Sequence, residues 1–148
     1  MLQNDNWGDR ARLGMYIVGN EAVPEAEWWA MSPPNVSVHA ARITASAPWA
    51  SWGENRSGVD LAEDLIRGTR QFAAMRLSVV VIGHSSSSFL GGKGWDEAVV
   101  ENLSATLGSD VIATTNGLDT VAALQASGVR RPFLIMPPWY NDDIVDAG

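Results

Sequence analysis

The chain has 148 residues, 46% hydrophobic and 18% charged, enough for one ordinary core and a single domain by default. Its net charge of −7 and pI near 4.6 argue against nucleic acid and against a membrane surface as partners, because both need clustered Lys and Arg. A small anionic ligand is not excluded, since it feels local donors more than net charge. The absence of cysteine removes disulfides, thiolate metal sites and thiol nucleophiles, and two histidines, His39 and His84, are too few to favour a metal centre. Hydroxyls, backbone amides, carboxylates or an imidazole must carry any chemistry.

Met1-Leu2-Gln3-Asn4-Asp5 lacks the basic and apolar regions of a signal peptide, and no apolar run approaches a membrane span, so a cytoplasmic location is expected. Residues 13–18 then read as a first strand. Glu25 to Met31 reads as a short helix stopped by Pro33-Pro34, and residues 36–43 as a second strand. Residues 44–57, with Pro48, Gly53, Trp49 and Trp52, read as a loop whose tryptophans suit either a lid or an interface, or packing under the loop. Ser57-Gly58-Val59-Asp60 resembles a capping box ahead of Leu61, Leu65, Thr69 and Phe72 at helical spacing.

Residues 79–94 are the most informative stretch. Val79-Val80-Val81-Ile82 suits a strand covered on both faces, and Gly83-His84-Ser85-Ser86-Ser87-Ser88 follows as a small polar loop, where ligands gather on a parallel sheet. Residues 95–107 carry Val99, Leu103 and Leu107 on one helical stripe, with Asp96 and Glu97 suited to the first turn. Residues 111–115 read as a strand, 118–126 as a helix ending at Gly128, and 132–136 as a last strand. Residues 141–148 look like the opening turn of a further helix. The alternation argues for an α/β fold with a mostly parallel sheet.

The serine-rich segment fits no standard nucleotide loop. Gly92-Lys93 is followed by Gly94 rather than Ser or Thr, and the upstream P-loop glycine is replaced by Ser87. The dinucleotide fingerprint fails at Glu97. A nucleophile elbow is matched through Gly83-His84-Ser85-Ser86 and broken at Ser87, which leaves a serine hydrolase as a third choice. What survives is a run of amides and hydroxyls able to hold a carboxylate or phosphate, set against a plain solvated linker.

Taken in order, several segments resemble one family. Gly14-Met15-Tyr16-Ile17-Val18-Gly19-Asn20 and Val36-Ser37-Val38-His39-Ala40-Ala41-Arg42 are similar to the N-terminal part of maleate cis-trans isomerases and arylmalonate decarboxylases, in the aspartate/glutamate racemase superfamily. Gly83 to Gly92 resembles their Thr-Ser-x-Ser-Phe segment, Thr114-Thr115 with Val121-Ala122-Ala123-Leu124 their Thr-Thr helix, and Pro137-Pro138-Trp139-Tyr140 their Tyr turn. The resemblance implies a Rossmann-like α/β domain with helices flanking a mostly parallel sheet over residues 1–108, and the beginning of a second, similar domain over residues 109–148. It implies no metal or organic cofactor and a small maleate- or malonate-like carboxylate as substrate, turned over through an enolate-like or related intermediate. Carried over by position, Ser85, Ser86 and Tyr140 donate to a carboxylate, and Asn20 holds a second oxygen.

Two departures qualify the expected chemistry. His84 stands where the racemases and isomerases carry cysteine and the decarboxylases glycine. An imidazole can act as a base near neutral pH but cannot copy covalent addition by a thiolate. His84 is therefore the candidate catalytic residue, with the alternative that it only hydrogen-bonds or fills space at the strand end, while His39 and Arg42 receive no role. The resemblance also implies a chain ending just inside the second domain, whose uncovered apolar faces favour a homo-oligomer or pairing with the missing C-terminal half. A non-catalytic carboxylate-binding or structural module is the alternative to an enzyme.

Overall fold

The β-branched and apolar runs of the sequence become strands, and the amphipathic segments between them become helices. The computed structural model describes residues 7–138, 140–142 and 145. In chain order the elements are β1 (Ala11–Val18), α1 (Val23–Met31), β2 (Val36–Ile43), β3 (Ala50–Trp52), β4 (Val59–Leu61), α2 (Glu63–Ala73), β5 (Val79–Ile82), α3 (Ser85–Gly91), α4 (Trp95–Leu107), β6 (Ile112–Thr115) and α5 (Asn116–Ala126). Four strands form one parallel sheet in the order β2-β1-β5-β6, and β3 pairs with β4 as a separate antiparallel hairpin. The fold is α/β, a mostly parallel central sheet flanked by helices.

Strand side chains alternate between faces, and the two faces of this sheet meet different neighbours. Tyr16, Ala41, Ile43, Val80 and Ile82 face Leu65 and Phe72 of α2 and Trp95, Val99, Leu103 and Leu107 of α4, forming the larger core. Met15, Ile17, Val38 and Val81 face the other way, with Trp28 of α1 packed against them. α2 comes close to the sheet because Gly68 has no side chain: a Cβ there would lie 3.0 Å from Ala41 and 3.2 Å from the Tyr16 ring. The stripe of Val99, Leu103 and Leu107 is buried as the sequence spacing requires.

Residues 44–61 depart from the expected loop and capping box. Ala50, Ser51 and Trp52 pair with Leu61, Asp60 and Val59, so residues 59–61 are strand, and α2 starts only at Glu63 with no side-chain cap. Burial outweighs local capping here, because Trp49, Ala50 and Val59 all join the larger core. Trp49 is 1% exposed and Trp52 is half-buried, so neither is an open lid. Three indole N–H groups fasten the segment: Trp49 Nε1 donates to the Ala45 carbonyl, Trp52 Nε1 to that of Gly91, and Trp95 Nε1 to that of Ala50. Asn102 adds a 2.8 Å bond to the Val59 carbonyl.

Two further expectations are corrected. The serine-rich loop is a helix from Ser85 onward, anchored by burial of Ser87 and Gly91. Residues 132–136 form no strand: Phe133, Leu134 and Ile135 are 90%, 60% and 87% exposed, and no strand among the described residues pairs with them. An apolar run by itself does not supply the hydrogen-bonding neighbour that a strand requires. The boundary expected at residues 108 and 109 falls in the turn between α4 and β6, and β6 joins the sheet through β5. Residues 1–6, Trp139 of the Tyr turn, and residues 143, 144 and 146–148 of the expected terminal helix lie outside the described residues. Among those described, no helix is long and apolar enough to cross a membrane.

Candidate carboxylate site

The chain order of the sheet reverses between β1 and β5, since β1 leads to β2 on one side and β5 leads to β6 on the other. A crevice forms beyond the carboxyl ends of the strands at such a point, and it is the usual ligand site of an open parallel sheet. Gly83 continues from β5 and donates its amide to the Tyr16 carbonyl of β1 over 3.0 Å. His84 and the serines of α3 follow directly.

Tyr140 reaches this strand end from the far end of the chain. Its hydroxyl lies 2.9 Å from Ser86 Oγ and 3.2 Å from Ser85 Oγ, and its ring meets Phe89 of α3 edge-on with centroids 5.4 Å apart. Its amide donates to the Pro137 carbonyl, which forms the turn that aims the ring. Ser85 is exposed and Ser86 half-buried. Three neutral hydroxyls thus converge, each able to turn a donor toward an anionic oxygen.

His84 sits on the inner side of the same junction. Its ring stacks on Trp49 with centroids 4.3 Å apart and planes 17° off parallel, and its Nδ1 lies 2.9 Å from Ser87 Oγ. Burial lowers its pKa, so the ring is neutral near pH 7. Ser87 is fully buried, accepts the Trp49 amide over 3.0 Å, and has no access as a nucleophile.

Asn20 lies beyond β1, at the neighbouring strand end, in a turn closed by the Glu21 amide on the Val18 carbonyl. It is exposed and makes no hydrogen bond to the hydroxyl cluster. Arg42 holds this turn in place: its guanidinium donates to the Glu21 carbonyl over 2.6 Å and pairs with Glu25 at 2.7 Å. His39 is distant in role as well as in sequence, bonded through Nε2 to Ser37 at 2.9 Å, with its pKa lowered by burial and then by Arg12.

Three neighbours escaped the reading of the sequence. Ser87 and Trp49 hold His84, and Asp64 holds the turn after β2, accepting from the Thr44 amide, the Thr44 hydroxyl at 2.8 Å and the Ala45 amide at 3.1 Å. Burial raises the Asp64 carboxyl, but hydrogen bonds from Thr44, Ala45 and Leu65 outweigh it and leave the pKa below the ordinary value. The sequence marks Ser87 only by its place at a motif position reserved for glycine. On the far side, Ser88 donates to Asp96 over 2.8 Å, and Thr115 at the end of β6 caps α5 by accepting the Leu118 amide. Among the described residues no group of His, Asp and Glu is placed to hold a metal ion.

No protein-family model matches the chain, and no curated protein matches it either. Among solved structures it is similar to arylmalonate decarboxylase in three forms. A cysteine-for-glycine mutant in a sulfate-associated form aligns with a TM-score of 0.65 at 20% identity, over 92% of this chain and 54% of that one. A double mutant in a liganded form gives 0.66 at 20% identity over 93% and 54%, and the unliganded enzyme 0.63 at 20% over 93% and 53%. The likeness is one of fold, and the chain spans about half the length of those structures.

Proposed function

We propose that the chain binds a small carboxylate at the end of β5, as part of a decarboxylase- or racemase-type protein that works through an enolate-like intermediate. The observation that carries this reading is the bridging of Ser85 and Ser86 by the Tyr140 hydroxyl. Preorganised neutral donors stabilise developing negative charge without a counter-ion. The fold shared with arylmalonate decarboxylase supports a malonate-like ligand, and the structural position at the reversal of strand order supports a binding role. Asn20, at the adjacent strand end, would meet a second carboxylate oxygen once a ligand fills the crevice.

Calorimetric titration with malonate tests the reading. Wild type is expected to bind and the Ser85→Ala, Ser86→Ala double variant to bind at least about tenfold more weakly, the equivalent of roughly one charge-assisted hydrogen bond. Equal affinity of the two proteins would remove the site. The second reading, a carboxylate-binding module without turnover, is favoured by the complete lack of cysteine. Release of carbon dioxide from an arylmalonate, or exchange of an α-proton with solvent, separates an enzyme from a binder.

A further inference from the structure

Ser87 Oγ sits between two nitrogens, and counting protons assigns both bonds. The Trp49 backbone N–H can only donate, and it reaches Oγ over 3.0 Å. His84 Nδ1 lies 2.9 Å from the same oxygen. Ser87 is fully buried and its hydroxyl has no other partner among the described residues, so its own proton has a single acceptor in reach, the Nδ1 lone pair. The opposite arrangement, Nδ1–H donating to Oγ, would leave the serine O–H buried with no acceptor, which folded proteins rarely tolerate. Stacking on Trp49 fixes the plane of the ring. Among the described residues Nε2 has no hydrogen-bond partner, and it is not among the polar atoms cut off from solvent without one.

We propose that His84 is held as the neutral imidazole with its proton on Nε2, and that this N–H donates to an oxygen of a carboxylate seated beside Ser85 and Ser86. The ligand half of the proposal rests on the carboxylate reading above. Ser87 is a positioning residue: it occupies the Nδ1 lone pair, so the ring offers the site a proton and no free base. This reverses the role the sequence suggests for His84. Burial acts in the same direction by keeping the ring uncharged.

Nitrogen–proton correlation spectra of the nitrogen-15-labelled chain, with the His84 signals identified by their loss in His84→Gln, read the tautomer without any ligand. The expected spectrum has Nε2 protonated and Nδ1 as a hydrogen-bonded lone pair, and Ser87→Ala shifts the Nδ1 signal. A protonated Nδ1 in the wild type overturns the assignment. In malonate titrations His84→Leu is expected to weaken binding at least about fivefold and His84→Gln, whose amide keeps an N–H, to recover most of that loss. Equal weakening in both variants, or none in His84→Leu, overturns the donor role. Failure of the wild type to bind malonate overturns the carboxylate reading and the ligand half with it, while the ligand-free spectrum still decides the tautomer.

Discussion

The Tyr140 hydroxyl lies 2.9 Å from Ser86 Oγ, although 54 positions of sequence separate the two residues. A phenol brought that far to meet a serine at a strand end gives the site two walls, one from α3 and one from the turn after Pro137.

Tyr140→Phe keeps the edge-on contact with Phe89 and removes only the hydroxyl. Malonate affinity is expected to fall by about 1 kcal/mol, roughly fivefold, with little change in thermal stability because the cluster is partly solvated. Calorimetry and a thermal melt on the same variant check both halves. Unchanged affinity would place the ligand elsewhere.

Asp64 is expected to matter for folding rather than for binding. Asp64→Ala leaves the Thr44 and Ala45 amides without their acceptor and should cost about 2–3 kcal/mol in urea unfolding at pH 7. The folded pKa is depressed, so this contribution is present above the unfolded value of about 4 and is lost as pH falls through the folded one. The gap between wild type and variant should therefore close in acid. A gap that stayed constant down to pH 2 would contradict the assignment.

The His84 pKa is also depressed in the folded state, by burial. Between the folded value and the unfolded value of about 6.5 the unfolded chain binds more protons, so stability rises with pH across that window and is flat above it. His84→Gln should flatten the rise, whereas His39→Gln should leave the His84 part of it in place. Unfolding measured from pH 4.5 to pH 8 distinguishes them.

Gly91 has a packing role that a conservative variant should reveal. A Cβ at this position would run into the Trp95 indole, which is fully buried under the hairpin. Gly91→Ala is expected to cost about 1–3 kcal/mol by overpacking and to loosen the Trp52 contact to the Gly91 carbonyl. Tryptophan fluorescence and urea unfolding report the two effects, and an unchanged melt would show that the indole can shift at little cost.

The parts of this fold legible in the sequence are those whose burial follows a local period. Residues 13–18 and 36–43 are strand, and Val99, Leu103 and Leu107 form the buried stripe of α4. The candidate site was legible as an address, the end of β5, because a β-branched run breaking into glycine and serine marks a strand end whatever surrounds it. Its internal bonds were not. Ser85 to Ser88 are identical letters with three different fates: Ser85 and Ser86 meet Tyr140, Ser87 meets Trp49 and His84, and Ser88 meets Asp96.

By itself the sequence determined that the fold alternates strand and helix, that this chain supplies no thiol, and that hydroxyls crowd one strand end. Periodicity and composition suffice for these because each depends only on neighbours along the chain. Tertiary structure decided that Ala50 to Trp52 pair with Val59 to Leu61, that Phe133 to Ile135 remain unpaired, and that His84 is clamped between Trp49 and Ser87. Each of those outcomes turns on which distant groups share a buried volume and which donor finds which acceptor there, and no local pattern encodes that.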